Sequence, residues 1–244
     1  MKRRDRVGRR ALAGAIVVLI GLAALPAAEA GDIRGTVRLV GTPPPPEVLR
    51  LTADQTICGP EPTRQSDALV LSATGGVKNA VVFIGSERME GWRSPTTAQI
   101  DQRRCTFVPR ITIVPPGSTI EVLNSDGILH NFHTLGTQHR TNLAQPGRLK
   151  RLRVTFEAPE FVPVKCDVHG EGVMRAWVVV ASHPYYALTD DEGRFRLPDL
   201  PPGPHVLEVW HEVLGTKRLP VTVGATGDIE VRVTYDLTRS DRQR

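Results

Sequence analysis

From residue 31 onward the chain is written in short runs where apolar and polar residues alternate, each stopped by a Gly- or Pro-rich break. "RLRVTF" puts Leu152, Val154 and Phe156 on one face, and "DIEVRVTYDL" does the same with Ile229, Val231, Val233 and Tyr235. A side-chain period of two belongs to an extended strand with one face buried. The same pattern recurs in "DIRGTVRLV", "KNAVVFIG", "RITIVPPGSTIEVLN", "MRAWVVVAS", "GRFRLPDL", "HVLEVWHEV" and "LPVTV". No stretch after residue 30 carries the 3.6-residue period of an amphipathic helix, and 20 Pro with 22 Gly supply turn residues. The expected fold is therefore all-β, with antiparallel sheets stacked as sandwiches. "GTPPPPEVLR" reads as a stiff, extended connector.

The first 30 residues have a different grammar. A cationic head, "MKRRDRVGRR", precedes the apolar "ALAGAIVVLIGLAALPAA" and then small residues at Ala28 and Ala30. This is the pattern of a secretory signal peptide cut after Ala30. The alternative is an uncleaved membrane anchor, against which Pro26 interrupts the apolar run short of the ~20 residues a spanning helix needs; no transmembrane segment is expected after cleavage. The basic head accounts for most of the net charge of +5, and the remainder is nearly neutral. A nucleic-acid partner thereby loses its main electrostatic argument.

An exported chain with 3 Cys has one left over after any single disulfide. Cys58 and Cys105 are expected to pair, stapling one domain to another, with two free or differently paired thiols as the alternative. Cys166 is then the odd thiol. It sits in "VPVKCDVHGEGVMRAWVVV", where Cys166, His169 and Met174 follow at offsets of three and five between two Val-rich strands. Gly170 and Gly172 permit a sharp reversal, which brings the three side chains to one end of a sandwich. His130 lies just beyond the strand "TIEVLN" and can be delivered there by a neighbouring strand. Two imidazoles and a thiolate with a weak axial thioether describe a blue-copper electron-transfer site. A thioether is an unusual ligand for zinc.

"CTFVPRITIVPPGSTIEVLNSDGILHNF" and "FVPVKCDVHGEGVMRAWVVV" together resemble the cupredoxins, plastocyanin in particular, over residues 97–181. The resemblance implies a Greek-key β-sandwich holding one type 1 copper. His130, Cys166 and His169 would be its strong ligands and Met174 the axial one. Asn131 would pin the ligand loops by hydrogen bonding, and His169 would be a partly exposed electron port. "GDIRGTVRLVGTPPPP" with "GGVKNAVVFIG", and "YYALTDDEGRFRLPDLPPGPHVLEVWHE" with "RLPVTV", are similar to a small carboxypeptidase regulatory-like, transthyretin-like sandwich. The wider arrangement resembles exported bacterial proteins of the methylamine-utilisation-like kind. The implied organisation is a signal peptide at 1–30, a first sandwich part at 31–96, the copper domain inserted at 97–181, a second sandwich part at 182–238 and a tail at 239–244.

These readings lead to a non-enzymatic, periplasmic or cell-surface carrier of single electrons, working with an extracytoplasmic redox protein such as a c-type cytochrome. The alternatives are copper storage or delivery, and a cell-envelope binding module for carbohydrate or protein in which the cupredoxin fold is only scaffold. A multicopper oxidase would need many more histidines, commonly in H-x-H pairs, and the chain has 7 His with no such pair. No hydrolase spacing such as G-x-S-x-G or H-E-x-x-H occurs. His133 is open to two readings, a site partner or a half-exposed strand residue. An accessory metal cluster of His133, His183, His211 and Glu212 is a further possibility. Trp177 and Trp210 read as core, and Asp190, Asp191 and Glu192 as turn residues.

Overall fold

The structure is a computed structural model that describes residues 30–85, 94–170, 172–224 and 227–238. The expected signal peptide, apart from Ala30, and the tail at 239–244 lie outside the described residues. The chain opens with β1 (Gly31–Val40), β2 (Val48–Arg50), a single helical turn α1 (Gln55–Cys58), β3 (Thr63–Gln65) and β4 (Val81–Ile84). Nine strands follow: β5 (Thr97–Gln102), β6 (Phe107–Val108), β7 (Ile111–Val114), β8 (Ser118–Asn124), β9 (His130–Leu135), β10 (Arg140–Gln145), β11 (Arg151–Phe156), β12 (Glu160–Lys165) and β13 (Arg175–Val180). The series ends with β14 (Tyr186–Leu188), β15 (Arg194–Leu200), β16 (Gly203–His211), β17 (Gly215–Val223) and β18 (Ile229–Asp236).

The protein is all-β. One sandwich stacks the sheet β10-β9-β12-β13-β7 on the sheet β11-β8-β5-β6, and a second is built from β15-β1-β18 and β14-β4-β16-β17. The second therefore takes strands from both sides of the first in sequence. The expectation of antiparallel sheets is corrected at three pairs, β1 with β18, β5 with β8 and β7 with β13, which run parallel. The middle case has a simple cause. The chain returns along β6, antiparallel to β5, and crosses to the other sheet as β7 before β8 comes back alongside β5.

Alternation does what it promised. Ile120 and Val122 of β8, Phe132 of β9, Phe156 of β11, Val162 and Val164 of β12, and Ala176, Val178 and Val180 of β13 fill the first core. Each larger apolar side chain buried this way is worth about 1.5–3 kcal/mol. Glu121 interrupts the apolar run of β8 at an outward position, where Arg153 Nη2 donates to its carboxylate at 2.8 Å. The second core gathers Ile33 and Val37 of β1, Leu197 of β15, Leu207 and Val209 of β16, and Val233 and Tyr235 of β18.

Between the sandwiches lies a third cluster of Val81, Ile111 and Val179, flanked by aromatic rings. Trp177 of β13 meets Trp210 of β16 edge-on, with ring centroids 4.7 Å apart. Beside them Arg110 Nη2 donates to Glu212 Oε2 at 3.0 Å and Arg110 Nη1 to Asp67 Oδ1 at 2.5 Å. Both tryptophans thus serve the junction between sandwiches rather than either core.

The small β2–α1–β3 flap belongs with the first sandwich in space. Leu49, Leu51 and Cys58 all enter the first core, although they precede β4 in sequence. Cys58 is disulfide-bonded to Cys105, which is buried in that same core. The bond therefore fastens the flap onto the first sandwich. The expectation that it would tie one sandwich to the other is corrected, because both cysteines pack in one core.

Candidate metal centre

Four strand ends and the flap build the site. Asn124 closes β8 and shapes the following loop: its Nδ2 donates to Ile128 O at 2.8 Å and its Oδ1 accepts from Gly127 N at 3.0 Å. Gly127 has φ of 73°, which a residue with a Cβ adopts only under strain. The loop delivers His130 as the first residue of β9. On the neighbouring strand, β12 runs into Cys166, and the chain reverses through 167–173 so that Cys166 N donates to Met174 O at 3.2 Å. His169 stands in the middle of that reversal.

The three expected strong donors converge. Cys166 Sγ lies 3.8 Å from His130 Nδ1 and 3.8 Å from His169 Nδ1, and the three donor atoms all fall within 4.8 Å of one another. Such separations are those of donors sharing one ion through bonds of about 2.0–2.3 Å. Met174 is buried in the same core, one residue before β13.

Both imidazoles are held from behind by carboxylates. His130 Nε2 is 2.9 Å from Asp126 Oδ2, and His169 Nε2 is 3.0 Å from Asp54 Oδ2. A carboxylate at Nε2 keeps the proton there and leaves the Nδ1 lone pair facing Cys166, as metal-bound histidines require. Asp126 is itself fixed by amide donors, Arg104 N at 2.6 Å and Cys105 N at 2.9 Å. Burial pushes the Cys166 thiol above its ordinary pKa, outweighing the Asn131 amide 3.5 Å away that favours thiolate. Burial likewise lowers the pKa of His130 against the opposing pull of Asp126. Without metal, the pocket therefore favours the neutral forms of these two groups, while a bound cation would deprotonate the thiol outright. A dry set of two imidazoles and a thiol with pre-set lone pairs fits a soft-accepting metal ion such as copper.

Asn131 bridges the two loops by hydrogen bonding. Its Oδ1 accepts from Asp167 N at 2.7 Å and its Nδ2 donates to Asp167 Oδ2 at 2.8 Å, tying β9 to the residue after Cys166. His133 joins this tie, with Nδ1 2.8 Å from the same Asp167 oxygen. Burial would raise the Asp167 pKa, but Lys165, Asn131 and His133 together hold it below the usual carboxylate range.

Two expectations are corrected. His169 is not a partly exposed port: it is 0% exposed, because the flap lies over it. Nor does the accessory cluster of His133, His183, His211 and Glu212 assemble among the described residues. His183 Nε2 donates to Ile84 O at 2.7 Å, His211 Nδ1 accepts from Val213 N at 3.2 Å, and Glu212 is occupied by Arg110. Sequence reasoning missed Asp126 and Asp54. Asp126 carried a signal, an acid in a turn four residues before His130. Asp54 carried none, being 115 residues from its partner.

No family model and no curated protein matches the chain. Among solved structures it is similar to amicyanin from Paracoccus versutus, at 15% identity over 41% of this chain and 96% of that one with a TM-score of 0.30. It is also similar to a purple cupredoxin from Nitrosopumilus maritimus, at 19% identity over 34% of this chain and 99% of that one, TM-score 0.28. A copper-containing nitrite reductase from Thermus scotoductus SA-01 matches at 22% identity over 40% of this chain, TM-score 0.30. The match spans 24% of the length of that reductase.

Proposed function

We propose that the protein binds one copper ion in a type 1 site and carries single electrons between extracytoplasmic redox partners such as a c-type cytochrome, without catalysing a reaction of its own. The observation that carries this reading is the approach of His130 Nδ1 and His169 Nδ1 to Cys166 Sγ, each at 3.8 Å, in a dry pocket. Bound copper would supply one-electron exchange between two oxidation states. The chain's part is to hold the donors still: two sheets fix the strand ends, Asn131 ties the ligand loops, and Asp126 and Asp54 keep a proton on each Nε2. Met174, buried in the same core, would be the fourth and weaker donor. A rigid frame lowers the reorganisation that electron exchange needs.

Export is supported by the signal-like residues 1–30 and by the Cys58–Cys105 disulfide, a bond that persists in oxidising compartments. No helix among the described residues is long and apolar enough to cross a membrane. A second reading, copper storage or delivery, draws on the burial of His169, since a closed site suits holding an ion. Titration of the metal-free mature chain with Cu(II) tests the proposal. One equivalent is expected to raise an intense visible thiolate-to-copper band, and Cys166→Ser is expected to abolish it. Persistence of the band in the serine variant would refute the ligand set. Rapid one-electron exchange with cytochrome c would favour the carrier reading over storage.

A further inference from the structure

The flap is built onto the site at every level, and its contacts converge on His169. Thr52 N donates to His169 O at 3.1 Å, so the backbone of the ligand loop is tied to the flap. Arg50 O presses on Gly170, where a Cβ would come within 2.3 Å of that oxygen, and Gly170 has φ of 114°. Only glycine fits there without displacing the flap. Arg64 Nη2 donates to Cys105 O at 2.6 Å and also to Val173 O, bridging β3 to the far side of the ligand loop. The sulfurs of Cys58 and Cys105 lie within 4.8 Å of a His169 ring nitrogen, so the disulfide walls the imidazole.

Asp54 is the part of the flap that reaches the ring. It occupies the N-cap of α1, a position where an aspartate ordinarily accepts from the first free amides of a helix, yet it makes no side-chain cap hydrogen bond. Its backbone is left-handed, with φ of 49°, a conformation that costs free energy in any residue with a side chain. Both departures have one result: the carboxylate points at His169 Nε2, 3.0 Å away. Its side chain remains 40% exposed while the imidazole behind it is fully covered.

We infer that Asp54 is a positioning residue for His169, and that the flap carrying it is a cover that withholds the imidazole edge from solvent, competing chelators and docking partners. The inference rests on the proposed metal centre for its copper readout, but the cover itself is a property of the metal-free chain. Asp54 fixes the ring with Nδ1 toward Cys166, and the flap, locked by Cys58–Cys105, leaves the Asp54 carboxylate as the solvent-facing end of the His169 side of the site.

Diethyl pyrocarbonate, which acylates accessible imidazole nitrogens, tests this on the full mature chain without metal. Peptide mapping by mass spectrometry is expected to show His169 reacting at least about tenfold more slowly than the partly exposed His205. Asp54→Ala is expected to raise the His169 rate about tenfold and leave that of His205 unchanged. In Cu(II) titrations Asp54→Ala should weaken the dissociation constant by about 10–100-fold, the usual cost of losing the group behind a metal-bound histidine. Asp54→Asn, whose amide oxygen can still accept from Nε2, should recover most of that loss, which a merely structural role would not predict. Equal reactivity of His169 and His205 in the wild type would overturn the cover, and that measurement needs no variant. Unchanged copper affinity in Asp54→Ala would overturn the positioning role. A wild-type chain that protects His169 but takes up no copper would sink the metal centre and leave the cover standing.

Discussion

At the scale of single residues, burial favours the neutral forms of Cys166 and His130, and one buried histidine elsewhere makes that cost measurable. His211 Nδ1 accepts from two amides, Val213 N at 3.2 Å and Leu214 N at 3.4 Å, so a proton there has no place. Burial lowers its pKa to about 4 from an ordinary 6.5. The unfolded chain then binds the proton first as pH falls, and the folded state loses stability below about pH 6.5 until the folded pKa is reached. Between pH 7 and pH 5 this single group removes about 2 kcal/mol. Urea unfolding at the two pH values is expected to show that loss in the wild type and a smaller one in His211→Gln. Met174 offers the matching test at the metal centre. Met174→Leu is expected to keep the visible copper band and raise the reduction potential, read by redox titration, since a thioether donor would add electron density that a leucine withholds. Loss of the band in that variant would mean that the thioether is a strong ligand.

The flap illustrates how an element too small to fold alone is held. A three-residue strand pair and one helical turn bury Leu49, Leu51 and Cys58, too little apolar surface to order themselves in water. The disulfide to Cys105 closes a sequence separation of 47 residues. On the chain-entropy account, a loop of that length contributes about 4 kcal/mol by restricting the unfolded ensemble. Cys58→Ser with Cys105→Ser is expected to lower the unfolding free energy by up to that amount in urea denaturation. A stability within about 0.5 kcal/mol of the wild type would show that the flap is held by packing and by Arg64 alone. The ligand loop 167–173 was easier to foresee. Cys166 after one Val-rich run, Met174 before the next, and glycines between them fix a reversal with local chemistry, and β12 and β13 end and begin within one residue of those limits.

The molecule as a whole is two sandwiches sharing an aromatic and charged junction. Arg110 and Glu212 are each about nine-tenths buried there, so removing Arg110 leaves the Glu212 carboxylate buried without its charge partner. Arg110→Ala is expected to destabilise the protein by about 3–5 kcal/mol. Its calorimetric trace should split into two transitions as the sandwiches uncouple. A single unsplit transition at the wild-type temperature would show that the Trp177–Trp210 contact suffices on its own. The Trp residues were legible as strand residues, but nothing local distinguishes a ring facing its own core from one facing another sheet. That choice is made by packing between strands 33 residues apart in Trp177 and Trp210 and 102 apart in Arg110 and Glu212.

The sequence by itself determined the all-β architecture and the local setting of three candidate donors. Alternation sets which side chains face inward within one strand, and the spacing of Cys166, His169 and Met174 sets a turn, and both are decided over a few residues. Only the tertiary structure decided that β5 runs parallel to β8, β7 to β13 and β18 to β1, that Cys58 lies against the site, and that His169 is covered with Asp54 behind it. Those outcomes come from packing between segments tens to more than a hundred residues apart. The free energy of such contacts depends on shape and register across sheets, which no local pattern in the chain encodes.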